Sequence, residues 1–180
     1  MKKLKVLLVV ALLPLFGISQ SIFNKYEDMN EVGSVTINKG LIRLAGNIAA
    51  FDEDDQDAQD FADISRGLDG IKVFVTEDEG ISKDMAKTVK KYLKSSKLEE
   101  LMRVKDKDVN VKFYIRHGKD EDHVSELLLF VSDIEHNGFG VKNRKFESVL
   151  VSMTGDIDLN KVGALTKKMN LPDELNKAGK

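Results

Sequence analysis

The spacing of apolar residues in the first half of the chain predicts strands separated by helices. Ser34–Ile37 has the composition of a short strand, and Asn38 is suited to cap a helix that follows it. The apolar positions of this helix fall on one stripe, which consists of Leu41, Leu44, Ala45 and Ile48. The acidic segment 52–64 then predicts a loop that runs into a short helix.

A second strand and a longer helix follow this acidic segment. Gly67 and Gly70 bracket a turn, and Ile71–Val75 predicts a strong strand. Ser82 is suited to cap the next helix. The inward face of that helix carries Ile81, Met85, Val89 and Leu93. Its outer face is rich in lysine, which is typical of a solvated surface.

Beyond this helix the apolar period changes to two, which is typical of an antiparallel sheet. A strand is predicted over Leu98–Lys105. The next strand has an apolar face with Val109, Val111, Phe113 and Ile115. Its alternate positions include Lys112, Tyr114 and Arg116, and we expect these side chains on an open, solvated face of the sheet.

The following strand is the most apolar part of the mature chain. Gly118–Asp122 predicts a turn, and Val124–Val131 predicts the returning strand. Its middle, Leu127–Phe130, is apolar on both faces, which favours a central strand over a face covered by an oligomeric partner. A last strand carries Val149, Val151 and Met153, and a closing helix carries Val162, Leu165 and Met169 on its inward face.

These elements predict the fold class. Their order is β-α-(α)-β-α-β-β-β-β-α, in which strands joined by helices precede a meander and a closing helix. We predict an α+β fold, with a mixed, mostly antiparallel sheet and helices packed on one face. Residues 20–180 form one domain, with a frayed polar tail from about residue 170. An open sheet face or a free edge strand is a surface to which a partner can add.

The first 19 residues predict export. Lysines at positions 2, 3 and 5 precede an apolar run from Val6 to Phe16. Gly17 and Ser19 then place small residues before a cleavage point. The run is shorter than the about 20 residues that a membrane span needs. We therefore predict a signal peptide over residues 1–19, no transmembrane span, and a soluble protein in the periplasm or secreted.

Composition narrows the classes of function. The chain has no cysteine, so we expect neither a disulfide nor a bacterial lipid anchor, which requires one. Removing the leader removes three lysines and no acidic residue, which takes the formal net charge from −2 to −5. An acidic protein without a large basic surface is a poor candidate for binding nucleic acid.

Two acidic segments resemble metal or phosphoryl sites. Asp156, Asp158 and Asn160 match part of a calcium loop, but Lys161 stands at the required glycine and Lys167 at the required glutamate. We interpret Asp158 as a helix cap next to a turn at Gly155. The acidic run has carboxylates suited to weak calcium binding, although a solvated loop is its simpler interpretation. The run comprises Asp52, Glu53, Asp54, Asp55, Asp57, Asp60 and Asp63.

Other chemistry has weaker support. His117 and His123 flank a hairpin turn, where Asp120, Glu121 or Asp122 would be needed to complete a zinc site. The third histidine is His136. The sequence has neither a G-x-S-x-G elbow nor a phosphate-binding loop, although Asn137–Gly140 contains two glycines around Phe139, a candidate apolar tip. We assign no catalytic, cofactor-binding or metal-binding residue.

Four segments together resemble a bacterial family known as domain of unknown function 4252. They are FNKYEDMNEVGSVTINKGLIRL, LDGIKVFVTED, SELLLFVSD and VLVSMTGDIDL. The resemblance implies a small exported protein and implies no activity, because the shared motifs are strand, turn and cap residues. This chain differs from the family pattern in lacking an anchor cysteine and in a long loop from Asp133 to Phe146.

The sequence therefore favours a non-enzymatic envelope protein that binds an envelope protein or forms a homo-oligomer. The alternatives are a small-ligand or calcium-binding carrier and a hydrolase with an unrecognised site. No cofactor is expected.

Overall fold

The computed structural model describes residues 21–105, 109–134 and 146–161, which contain six strands and three α-helices. The strands are β1 (Val32–Asn38), β2 (Leu68–Thr76), β3 (Glu99–Lys105), β4 (Asn110–His117), β5 (His123–Ser132) and β6 (Ser148–Asp158). The helices are α1 (Lys39–Ala49), α2 (Gln56–Gly67) and α3 (Glu79–Ser95). Short 3₁₀ helices cover Ser21–Tyr26 and Leu159–Lys161.

The strands form one sheet in the order β1-β2-β6-β5-β4-β3, and every neighbouring pair is antiparallel. The predicted α+β class is thus confirmed, while the sheet is antiparallel throughout rather than mixed. The last strand in the described residues, β6, lies between β2 and β5. No helix in the described residues is long and apolar enough to cross a membrane.

Side chains at the helix starts explain where the helices begin. Asn38 caps α1 as predicted, because its side-chain oxygen accepts a hydrogen bond from Leu41 N at 3.1 Å. Asp55 caps α2 in the same way. The cap of α3 is Asp78 and not Ser82, which lies within the helix. An aspartate directly before the helix was a better signal than the serine four residues later.

Helices pack on both faces of the sheet, so the prediction of helices on one face was wrong. On one face, Ile42 of α1 and Ile64 of α2 join a cluster that includes Leu127 and Leu129. On the other face, Leu128 and Phe130 join a second cluster with the buried side chains of α3 and of the first 3₁₀ helix. These are Met85, Val89, Tyr92, Phe23 and Tyr26.

The second cluster also corrects the expected open face. Tyr114 is only 7% exposed and packs in the cluster beneath α3. Its polar hydroxyl had suggested a solvated position, but the aromatic ring carries enough apolar surface to be buried. The prediction that Leu127–Phe130 forms a central strand is confirmed, since β5 lies between β6 and β4 and both of its faces are covered.

Two glycines allow the end of α2 to cross strand β6. Gly155 has a φ of +139°, and a Cβ built on it would lie 2.3 Å from the Gly67 carbonyl oxygen. A Cβ on Gly67 would lie 2.1 Å from the Asp156 carbonyl oxygen. The pairing of β2 with β6 is irregular at this point. The sequence suggested that the strand ends at Gly155. Instead, β6 continues past Gly155 to Asp158.

Some sequence predictions lie outside the described residues. They are the signal peptide over residues 1–19, the closing helix with Val162, Leu165 and Met169, the tail from about residue 170, and the positions of His136, Phe139 and Lys167.

We expect Gly155→Ala to lower the free energy of unfolding by about 2–4 kcal/mol, because it adds backbone strain and a clash with the Gly67 backbone. Gly33→Ala is the control, since a Cβ there would meet only Val75 O, at 3.8 Å. Chemical denaturation measures both variants. Equal small effects, within about 0.5 kcal/mol, would show that the crossing is not tightly packed.

Candidate functional site

Several polar residues singled out in the sequence meet at one end of the sheet. A cleft of about 210 Å³ lies there between α2, the start of β5 and the end of β6. It is lined by Asp63, Ile64, Gly67, His123, Asp156, Asp158 and Lys161. The fold thus brings together part of the acidic run, one histidine and both carboxylates of the Asp-x-Asp segment.

The ionic groups around this cleft are already paired with one another. Lys161 forms an ion pair with Asp63, and this hydrogen bond holds the pKa of the Asp63 carboxyl below its ordinary value. Lys119 Nζ lies 2.7 Å from an Asp156 oxygen. Asp158 accepts a hydrogen bond from Asn160 N at 2.9 Å at the start of the 3₁₀ turn, while the helix that it was predicted to cap lies outside the described residues.

The two hairpin histidines contact different carboxylates. His117 lies 3.3 Å from Glu99, and His123 Nδ1 lies 2.6 Å from Asp120. Within the described residues, no group of three or more histidine, aspartate or glutamate side chains is arranged to hold a metal ion. The residues of the acidic run are divided between a loop and a helix. Its first residues are an exposed loop, and its last residues lie on α2.

A buried polar cluster lies on the α3 side of the sheet. The Glu126 carboxylate is 1% exposed, and the Tyr92 hydroxyl lies 2.8 Å from each of its oxygens. Arg116, which pairs with Glu126 across β4 and β5, places Nη2 2.9 Å from the same carboxylate. Arg116 Nε is buried without a hydrogen-bond partner among the described residues.

Burial is the main electrostatic influence on Glu126. It raises the pKa of the Glu126 carboxyl, against the opposing effects of the Tyr92 hydrogen bond and the Arg116 charge. The cluster joins α3 to two neighbouring strands. Because all three side chains face one another within the second cluster, we interpret it as a structural link between helix and sheet.

An apolar stripe on α1 is exposed to solvent. It consists of Leu41, Leu44, Ile48 and Phe51, with exposed fractions of 53%, 56%, 63% and 87%. The spacing places Leu41, Leu44 and Ile48 on one side of α1, and Phe51 follows in a hydrogen-bonded turn two residues past the end of the helix. The sequence had indicated a stripe of Leu41, Leu44, Ala45 and Ile48, but the side of α1 that is buried carries Ile42 and Gly46 instead.

Close packing against α2 explains which side of α1 is buried. A Cβ on Gly46 would overlap the Ser65 side chain, with 1.8 Å to Oγ, so the two helices touch at Gly46. This contact turns Ile42 toward the first cluster. The apolar stripe then points away from α2 and from the sheet.

Charged residues lie near the apolar stripe. Arg43 forms no ion pair with another described residue, and it projects about 200° around the helix from Leu41, outside the stripe. Past Phe51 the chain carries Asp52, Glu53 and Asp54, which are exposed and likewise make no ion pair within the described part of the chain. The stripe is therefore followed directly by an acidic segment.

The edge strand β1 lies beside α1. Six of its seven residues, from Gly33 to Asn38, are partly or fully exposed, and Val35 is 54% exposed. It carries no charged residue and no proline, which are the usual protections of a free edge. The opposite edge, β3, is protected by charged residues, which are Glu99, Glu100, Arg103 and Lys105.

Comparison with known proteins assigns the family. The family described as Domain of unknown function (DUF4252) matches residues 26–165. This chain belongs to that family. The match covers the described elements from Tyr26 to the last 3₁₀ turn, so the resemblance inferred from four segments is confirmed. Neither the search of curated proteins nor the search of solved structures found a match.

Two features of this DUF4252 chain were missed by sequence reasoning. Glu126 stands directly before the apolar run Leu127–Val131, and this position on a strand apolar on both faces was the available signal for a buried carboxylate. The exposure of the apolar stripe had no such signal, because amphipathic spacing is the same for a core face and a binding face.

The raised pKa of Glu126 predicts a pH-dependent contribution to stability. The folded state holds this proton more tightly than the unfolded state, whose carboxyl titrates near 4.5. The contribution is therefore complete below that pH and is lost as pH rises through the folded pKa. We expect the difference in unfolding free energy between the wild type and Glu126→Gln to fall as pH rises above 4.5, as measured by urea denaturation.

The control is Asp84→Asn. Hydrogen bonding to Lys25 lowers the pKa of the Asp84 carboxyl, so the corresponding difference must rise with pH at the acidic end of the range. A difference for Glu126→Gln that is constant or rises with pH would contradict the assignment.

Proposed function

We propose that this protein is a non-enzymatic, exported envelope protein that binds another protein through the apolar stripe of α1. The observation that carries the proposal is the exposure of Leu41, Leu44 and Ile48 on one side of α1, together with Phe51 in the turn that follows the helix. Exposed apolar residues are common singly, but a contiguous group bordered by charged residues is typical of an interaction site.

The stripe is not required by the core of the protein. Ile42 and Gly46 already make the contacts of α1 with α2 and the sheet. Leaving four large apolar side chains in water is unfavourable by about 25 cal/mol per Å² of apolar surface that could be buried. A partner that covers them gains this free energy on binding.

The neighbouring edge strand supports the same interpretation. β1 can accept a strand from a partner, because no described strand pairs with the backbone groups on its outer edge. Ile37 packs in the first cluster on the α1 side of the sheet. Val35 lies two residues away and therefore projects to that same side.

The polar candidates favour binding over the carrier and hydrolase alternatives. Lysines neutralise Asp63 and Asp156, and Asp55 and Asp158 cap helical turns. Side chains held in these contacts must break them before they can bind calcium or transfer a proton.

Site-specific crosslinking tests the proposal. A photoreactive amino acid replaces Ile48 in the full chain expressed in cells of the source species, and crosslinked products are identified by mass spectrometry. The control position is Lys90, which is exposed on α3 at the opposite face of the sheet. We expect a defined protein adduct from position 48 and none from position 90. Equal labelling, or no adduct at either position, contradicts the proposal.

We expect Leu44→Glu to reduce this association by at least about tenfold, because a carboxylate would have to be buried among apolar groups. The stability of the fold should change by less than about 1 kcal/mol, since Leu44 is 56% exposed. Asn47→Glu is the matched control, because Asn47 is exposed on the same helix but outside the apolar stripe. Pull-down yield and thermal denaturation are the two measurements.

A further inference from the structure

We infer that the outer face of α3 binds the surface of a membrane that contains anionic phospholipids. This face carries five lysines, which we call the lysine row: Lys83, Lys87, Lys90, Lys91 and Lys94. All five side chains are exposed. The lysine row lies on the opposite face of the sheet from the apolar stripe, so the inference goes beyond the proposed function and does not depend on it.

The lysines form one continuous row along the helix. At about 100° of rotation per residue, their side chains fall within an arc of about 100°. The same rotation places Gly80 as the one other residue of α3 within this arc, and it places the buried Met85 and Tyr92 on the opposite side. At about 1.5 Å of rise per residue, the row is about 16 Å long. The lysine row therefore points directly away from the sheet.

The positive charge of the lysine row is only partly neutralised. Lys83 pairs with Glu79, and Asp84, which flanks the row, pairs with Lys25. The other four lysines of the row form no ion pair with another described residue. Like charges three or four residues apart repel one another and destabilise a helix. Contact with a negatively charged surface relieves this repulsion and is therefore favourable.

The shape and composition of the lysine row favour an extended lipid surface over a discrete ligand. The row lies on a convex helix, and none of its lysines lines the clefts near Asp63, Glu77 or His117. Its arc contains no arginine, aromatic or amide side chain that would recognise a particular phosphate or base. Ammonium groups on flexible stems act as point charges that can reach a common plane. Anionic phospholipids present such a plane of negative charge.

The net negative charge of the chain does not prevent this contact. The acidic segment 52–54 follows α1, which packs on the opposite face of the sheet. The sheet and α3, a helix about 10 Å across, separate this segment from a surface that touches the lysine row. Interactions between exposed charges are largely screened beyond about 8 Å at physiological ionic strength. A protein bound in this way presents the apolar stripe away from the lipid.

Flotation of the full-length protein with lipid vesicles tests the inference. We expect binding to vesicles that contain phosphatidylglycerol, and at least about tenfold weaker binding to vesicles of phosphatidylcholine alone. Raising the NaCl concentration from about 0.05 M to about 0.5 M should remove most of this difference, because salt screens the lysines. Any apolar contribution of residues 1–19 is common to both kinds of vesicle, so the comparison isolates the electrostatic part.

Charge variants locate the contact on α3. Lys90→Gln and Lys94→Gln should each weaken binding to the phosphatidylglycerol vesicles by about fivefold, because each removes one positive charge from the contact. Arg43→Gln is the matched control, since it makes the same change in net charge on the opposite face of the sheet. It should leave binding unchanged within about twofold. Circular dichroism shows that each variant is folded.

The outcomes separate this inference from the proposed function. Equal binding to both kinds of vesicle, binding to neither, or an equal effect of Arg43→Gln and Lys90→Gln overturns the lipid contact and leaves the proposed binding at α1. Displacement of the protein from the vesicles by duplex DNA or polyglutamate, at equal concentration of charge, assigns the lysine row to a soluble polyanion and also overturns the inference. Charge-dependent vesicle binding without an Ile48 crosslink supports the lysine row and overturns the proposed function.

Discussion

Burial of β5 on both faces is the constraint on which the rest of the structure depends. Leu127 and Leu129 project to one side of the sheet and Leu128 and Phe130 to the other, so neither side can be left to solvent. Helices α1 and α2 contribute to the cover on one side, and α3 with the first 3₁₀ helix covers the other. The same requirement buries Tyr114 and encloses the Glu126 carboxylate, which then needs Tyr92 and Arg116 as partners.

The helices on the two faces of the sheet differ in the kind of side chain that they expose to solvent. Helix α3 buries its apolar side and presents lysines to solvent, which is the ordinary arrangement of a surface helix. Helix α1 buries the side that carries Gly46, which has no side chain, and exposes its larger apolar residues to solvent. The larger apolar residues of α1 are therefore not covered by the described part of the chain, and they form the surface that we propose a partner would bury.

Much of the fold could be predicted from the sequence because its signals are local. Asn38 caps α1, the period of two identifies β4, and the doubly apolar run identifies β5 as central. The position of each helix relative to the sheet could not be predicted, since it depends on contacts between distant residues, such as Gly46 with Ser65 and Gly67 with Gly155. For the same reason, the sequence identified the apolar stripe but not the side of α1 that would be exposed.

The place of β6 in the sheet has a consequence for how the chain folds. The hairpin-like pair β1-β2 and the meander β3-β4-β5 share no strand pairing until β6 enters between them. Leu68 pairs opposite Gly155, so this closure joins residues far apart in sequence and is expected to be slow. The two halves of the described sheet can therefore form separately, and they become one sheet only when β6 pairs with both β2 and β5.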